Sequence, residues 1–520
     1  MYISRRSVMT FLAGAAPGAF TRAAATQLPP GIQIQKGPFQ PTRESLKAYT
    51  VPQWFRDAKF GIWAHWGPQS AAEYGDWYAR NMYLQGSRQY NYHVKTYGHP
   101  SKFGFKDVIA TWKADKFDPD YLISLYKKAG ARYFVSMGVH HDNFDLWNSK
   151  YQPRWNAVAA GPHKDIVGLF RKAALKAGLK FGVSEHLSNS YNWFAPAHGS
   201  DKDGPLAGVP YDGADPAYAD LYHPLPKDFD IAKTPAMSRN APESWKLLYF
   251  RRIKDLIDNY QPDLLYTDGA IPFEEYGLAL VAHFYNSNAR RHGGRVEAVY
   301  TSKGRQDCEV GTCVLDIERG IAEGIPPNPW QTDTCIGHWH YDKEARYKSP
   351  KLVIDMLVDI VSRNGNLLLN FPLPNSGMLD EAELKILDEV TRWMAVNGEG
   401  IYGTRPWKIF GSGPAASTAP LGGRPAAFNE RMRKEFSAEE LRFTTKGNNL
   451  YVFVMGWPGS QVIVKPLAVN SSVERVKVLN VELLGFKGKL KWAQDEQGLK
   501  VQMPEYRPCE HAIALKVTCA

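Results

Sequence analysis

Pro262-Asp263-Leu264-Leu265-Tyr266-Thr267-Asp268-Gly269 reads as the end of a buried parallel strand. Its short apolar run, Leu264 to Tyr266, is bounded by proline and glycine, as strands covered on both faces are. Asp268 closes the strand with a carboxylate, and Gly269 lets the backbone turn away. In a barrel of alternating strands and helices, catalytic groups sit at that end of a strand. One such aspartate alone reads as a helix cap or a turn residue. Other strand-like runs close in the same manner, with His65, with His140-His141 and with Glu185-His186. Asp316 and Glu318 follow another. Polar groups on so many strand ends argue for one shared pocket.

Working outward, strand-like runs cover residues 58–64, 132–139, 180–184, 264–267, 296–301, 313–317 and 367–370. Helical periodicity marks residues 118–128, 164–178, 244–260, 275–291, 350–363 and 380–396. Residues 189–239 are polar and rich in Pro, Gly and Asp, which predicts an elaborated loop over the active face. Residues 329–341 read as a further loop rich in His and Trp. Strand and helix alternate roughly eight times without a Gly-rich phosphate fingerprint. That predicts an α/β fold, a (β/α)8-like (TIM) barrel over residues 40–400. Beyond Gly398 the period becomes two, as in Leu450, Val452 and Val454 against Tyr451, Phe453 and Met455. This predicts a C-terminal antiparallel β-sandwich over residues 405–520.

At 520 residues, 44% hydrophobic and 22% charged, the chain has room for both units. The net charge of +10 is spread without a basic helix or cluster, so it describes a solvated surface and excludes a nucleic-acid footprint. Aromatic residues make up 13%, a supply that suits stacking against sugar rings. None of the five cysteines stands in a CxxC pair or a zinc spacing; Cys308 and Cys313 read either as a small loop disulfide or as free thiols. Ser4-Arg5-Arg6-Ser7-Val8-Met9, an apolar run to Ala16 and then Ala23-Ala24-Ala25 resemble a twin-arginine export signal over residues 1–25. This predicts a periplasmic or extracellular protein. The apolar run is too short to span a bilayer, and no other stretch does so.

Two chemistries fit the strand-end set. A metal-dependent barrel hydrolase would use His65, His140 or His141, His186 and Asp268 as ligands. Against it, no His-x-His marks the first strand, and His140 and His141 face opposite sides while the strand stays extended. Glycoside hydrolysis needs two carboxylates, about 5–5.5 Å apart in a retaining enzyme, with neutral hydrogen-bonding groups around them. Asp268 and Glu318 supply the pair, with Asp316 an alternative acid.

The first strand and its sequel, Ala58-Lys59-Phe60-Gly61-Ile62-Trp63-Ala64-His65-Trp66-Gly67, resemble the opening signature of glycoside hydrolase family 29, the α-L-fucosidases. Asp76-Trp77-Tyr78, His140-His141-Asp142-Asn143-Phe144 and Leu146-Trp147-Asn148-Ser149-Lys150 continue the resemblance. Gly365-Asn366-Leu367-Leu368-Leu369-Asn370 and Asn397-Gly398-Glu399-Gly400-Ile401-Tyr402-Gly403-Thr404 extend it in order, from Trp54 to Trp407. It implies a retaining, exo-acting α-L-fucosidase with no cofactor and no metal, acting on fucosylated oligosaccharides or glycoconjugates. A homo-oligomer is compatible with it.

By motif, Asp268 matches the nucleophile and Glu318 resembles the acid/base of some members. His65, Trp77, His140 and His141 match binders of sugar hydroxyls. Asp76, Tyr78, His186 and Trp339 complete the expected substrate contacts, and Tyr266 stands where tryptophan is often found near the 5-methyl group. Asp76 replaces a usual glutamate, and Gln331-Thr332-Asp333-Thr334-Cys335 and Asn370-Phe371-Pro372-Leu373-Pro374 depart from the family pattern. No arginine matches the family's substrate-contacting one; Arg305 is the nearest candidate. An α-L-galactosidase and a non-catalytic fucose-binding relative are the alternatives.

Overall fold

Eight parallel strands close on themselves in chain order in the computed structural model, which describes residues 28–225, 235–417 and 427–520. They are β1 (Phe60–Ala64), β2 (Tyr133–Val139), β3 (Lys180–Glu185), β4 (Leu264–Thr267), β5 (Val299–Ser302), β6 (Val314–Asp316), β7 (Trp330–Cys335) and β8 (Gly365–Asn370). β1 pairs with both β2 and β8, which seals the barrel. The apolar runs are buried on both faces; Leu264, Leu265, Leu367, Leu368 and Leu369 are all fully covered. The export signal expected over residues 1–25 lies outside the described residues.

Most helices occupy the places their periodicity predicts. Glu243–Tyr260 follows β3 and Glu275–Arg291 follows β4. Pro350–Ser362 starts on Ser349, whose side chain accepts from the Leu352 N–H. Glu381–Asn397 starts on a capping box between Asp380 and Glu383. Two positions in the ring are thin: a single turn, Arg305–Cys308, follows β5, and among the described residues no helix separates β6 from β7. Cys308 and Cys313 form a disulfide in this thin sector.

One expectation is corrected. Residues 329–341 contain β7 rather than only a loop. Its polar sequence hid it, because its side chains bond inside the barrel instead of packing against apolar neighbours. The Gln331 amide donates to Asp316 at 2.6 Å, and Asp333 accepts from the Tyr266 hydroxyl at 2.9 Å.

The C-terminal strands form two antiparallel sheets. The first orders β13 (Val478–Leu483), β16 (Ile513–Cys519), β11 (Asn449–Val454), β10 (Leu441–Lys446) and β9 (Arg405–Ser412). The second orders β12 (Gln461–Val464), β15 (Gly498–Gln502) and β14 (Trp492–Asp495). Val452, Val454 and Leu515 of one sheet share a core with Val464, Leu499 and Val501 of the other, as the alternation predicts. Trp393 donates to the Ala512 carbonyl at 2.7 Å and ties this sandwich to the barrel.

Candidate active site

Side chains at or beyond the C-terminal ends of seven strands converge on one cavity of about 780 Å³. His65 follows β1, His140 and His141 follow β2, His186 follows β3 and Asp268 follows β4. Lys303 follows β5, Glu318 lies beyond β6, and Asp333 stands on β7. Asp76, Trp77 and Trp339 enter from loops. Trp63 and Tyr266, with ring centroids 4.9 Å apart, make an aromatic floor.

His140 and His141 both reach the cavity. The strand ends at Val139 after a register shift, so the alternation of an extended chain no longer governs the pair. That removes the geometric objection to a metal raised from the sequence. Tyr78 does not reach the cavity: Trp77 takes a left-handed conformation at φ +57° and starts a helical turn. The next side chain is thereby carried into the interior, where the Tyr78 hydroxyl lies 2.8 Å from His93 Nδ1. Arg305 also stays outside, paired with Glu309 at 3.0 Å.

Several groups arrive that sequence reading missed. Lys303 Nζ bonds Asp268 at 2.6 Å and also bonds Glu318, so one ammonium joins both carboxylates. Its signal was present, since Lys303 closes the Val299–Ser302 strand as Asp268 closes its own. Arg239 comes from the long polar segment and donates to the Asp268 carbonyl at 2.9 Å and the Ala270 carbonyl at 2.8 Å. A β-carbon at Gly269, where φ is +106°, would collide with that guanidinium. His340 packs its ring 4.6 Å from His65 and 4.9 Å from His140. Phe428 lines the rim.

Neighbouring groups fix the orientation of these side chains. The Gln69 amide donates to His140 Nδ1 at 2.7 Å, so Nε2 carries the proton. His141 Nδ1 donates to the His186 carbonyl at 2.8 Å, while its Nε2 faces Asp268 at 3.3 Å. Asn370 accepts from the His65 N–H at 2.9 Å and donates to the Trp339 carbonyl at 2.8 Å, holding both walls at once. Asp76 accepts from the His340 N–H at 2.7 Å and so anchors the loop that carries Trp339.

Burial governs the charges. It pushes the His65 and His140 imidazoles well below their ordinary range, and His186 and His340 down to about 4, so all four are neutral near pH 7. Ring nitrogens of His65 and His340 have no hydrogen-bond partner among the described residues. Neutral donors and acceptors of this kind suit the hydroxyls of an uncharged sugar. Burial also opposes ionisation of Asp268, but Lys303, His186 and His141 outweigh it and hold the carboxyl well below the usual range. Glu318 moves the other way: burial, with Asp333 and Asp268 nearby, raises it against the pull of Lys303. The site therefore pushes the two carboxyls apart, Asp268 toward its ionised form and Glu318 toward its protonated one, the separation that acid/base chemistry uses. Asp316, the alternative acid, does not line this cavity.

Among the described residues, His65, His140 and His340, and also His140, His141 and His186, bring ring nitrogens within 4.8 Å of one another, close enough to hold a metal ion. A dication at the second trio would sit against Asp268, whose carboxylate the Lys303 ammonium already neutralises. That charge balance favours uncharged hydroxyls there.

The family model for alpha-L-fucosidase matches residues 27–399, and that for the alpha-L-fucosidase C-terminal domain matches residues 433–518. The tissue alpha-L-fucosidase of Mus musculus is 26% identical over 498 residues, covering 92% of this chain and 94% of its own. The plasma alpha-L-fucosidase of Homo sapiens is 27% identical over 499 residues, covering 92% of this chain and 92% of its own. The Thermotoga maritima alpha-fucosidase solved with fucose superposes with a TM-score of 0.69 at 25% identity, covering 92% of this chain and 100% of that one. By the match over most of its length, this chain belongs to the α-L-fucosidase family of glycoside hydrolases, family 29.

Proposed function

We propose that this protein removes terminal α-L-fucose from glycans or glycoconjugates with retention, Asp268 acting as nucleophile and Glu318 as acid/base. One observation carries the assignment: both carboxylates bond the same Lys303 ammonium. Two oxygens bonded to one nitrogen lie at most about 5 Å apart, which supports the ~5–5.5 Å spacing of a retaining pair over the ~6.5–9.5 Å of an inverting one. In the first step an Asp268 oxygen attacks the anomeric carbon as the glycosidic C–O bond breaks. The Glu318 proton passes to the departing oxygen. In the second step water attacks the same carbon, gives its proton to Glu318, and Asp268 leaves as a carboxylate. His65, His140, His141 and His186 orient the sugar hydroxyls. The apolar methyl at C5 rests against the floor of Trp63 and Tyr266, with Trp339 beside it. The aromatic floor ends the cavity, which suits exo action on a chain terminus.

Release of 4-nitrophenol from its α-L-fucoside tests this. Wild type should be active, Asp268→Gly inactive, and Glu318→Ala slowed by about 10²–10⁴-fold. Azide should rescue the first as the inverted glycosyl azide and the second as the retained one. A fully active Glu318→Ala would move the acid/base role elsewhere. Among the described residues no helix is long and apolar enough to cross a membrane. The twin-arginine pattern supports export, and the mass of the exported protein should place its first residue just after Ala25. An unprocessed N-terminus would overturn the export reading.

A further inference from the structure

A second cavity of about 940 Å³ adjoins the first, within the ~300–1,000 Å³ range of small-ligand sites. Among the described residues the two share Lys303, Glu318 and Phe428. The second exists because the chain passes from β6 to β7 without a helix. Leu315 of β6 lines it where a helix would pack in a regular barrel. Its far side is the proline-rich coil that includes Ile325 and Pro329. Arg305, Glu309 and Asn328 give it a polar rim.

Phe428 stands at the junction. Its main-chain N–H donates to the Glu318 carbonyl at 2.8 Å, and Glu430 donates likewise to Arg319 at 3.0 Å. The backbone of Phe428 is thus held beside Glu318, and its ring remains 58% exposed. An exposed aromatic whose backbone is anchored at a cavity edge offers a stacking surface to an apolar partner.

The chemistry sets the direction. Glu318 protonates the departing oxygen, so the leaving group lies on the Glu318 side of the fucose cavity, where the second cavity opens. We propose that this cavity is the leaving-group subsite and that Phe428 is its platform, stacking on the apolar face of the pyranose from which fucose is cut. The inference rests on the α-L-fucosidase reading above. Apolar walls with a polar rim match a hexose or N-acetylhexosamine, which carries its C–H groups on one face and its hydroxyls around the edge.

The test compares α-L-fucosyl fluoride, whose leaving group is too small for the subsite, with α-L-fucosyl-(1→2)-galactose and α-L-fucosyl-(1→3)-N-acetylglucosamine. Wild type, Phe428→Ala, Phe428→Trp and Ile325→Asp are assayed on each, and turnover of the fluoride certifies that every variant is folded. The ratio of disaccharide to fluoride kcat/KM should fall about tenfold in Phe428→Ala and in Ile325→Asp, the scale of one lost ring or wall contact, and return in Phe428→Trp. Ratios unchanged from wild type in both would overturn the subsite while leaving the fucosidase reading intact. A wild type inactive on the fluoride would overturn the fucosidase reading itself.

Discussion

Lys303 is the residue on which the charge balance of the site turns. Its ammonium stabilises the ionised form of Asp268 and also of Glu318, so its removal raises both carboxyls. In the proposed mechanism activity needs Asp268 ionised, which sets the acid limb of the pH profile, and Glu318 protonated, which sets the alkaline limb. Lys303→Met should therefore shift both limbs of kcat/KM to higher pH, and Lys303→Arg should restore them toward wild type. Unmoved limbs in Lys303→Met would show that the lysine only fills space. At this scale the sequence was most legible where a polar residue closes an apolar run, as with Asp268 and His65. Lys303 obeys that rule and was passed over because a lysine near a strand end looks like surface. Tyr78 was misplaced because adjacency to Trp77 says nothing about direction once the backbone turns left-handed. Phe428 left no mark at all, since its place depends on a loop brought back from far along the chain.

Helix Pro350–Ser362 shows how elements are joined across the two halves. Burial opposes charge on its Asp359, but Arg442 of β10, with Arg363 and Arg433, overrides it and holds the carboxyl well below its ordinary range. A depressed carboxyl contributes stability that is present above its unfolded pKa of about 3.9 and is lost as pH falls toward the folded value. Asp359→Asn should cost about 3–5 kcal/mol at pH 7, because it leaves buried arginines without their partner. The deficit should shrink below about pH 4, where wild type loses the same term. Denaturant melts at pH 7 and pH 3 measure both; a deficit constant across that range would exclude the ion-pair account. Elements themselves were read well where burial imposes period or continuity, as in β4, β8 and the long helices. β7 was missed because hydrogen bonds, not apolar contacts, satisfy its inward side chains. Period carries no trace of that kind of burial.

Across the whole molecule, the sandwich is joined to the barrel through Trp393, Arg442 and Tyr451, whose hydroxyl donates to Glu399 at 2.8 Å. The stretch leading into it does more than prop the barrel: Phe428 and Glu430 make main-chain bonds to Glu318 and Arg319. Glu430 also accepts from Thr334 at 2.6 Å and pairs with Lys348 at 3.1 Å. The reacting pocket is drawn from the strand ends, while Phe428, beside Glu318, comes from beyond them. In inheritance, the two portions of such a gene are not free to trade partners. Recombination that replaced the rear portion would exchange the Phe428 ring, so part of the preference for what fucose is attached to would travel with that segment, while preference for fucose itself stayed behind with the barrel.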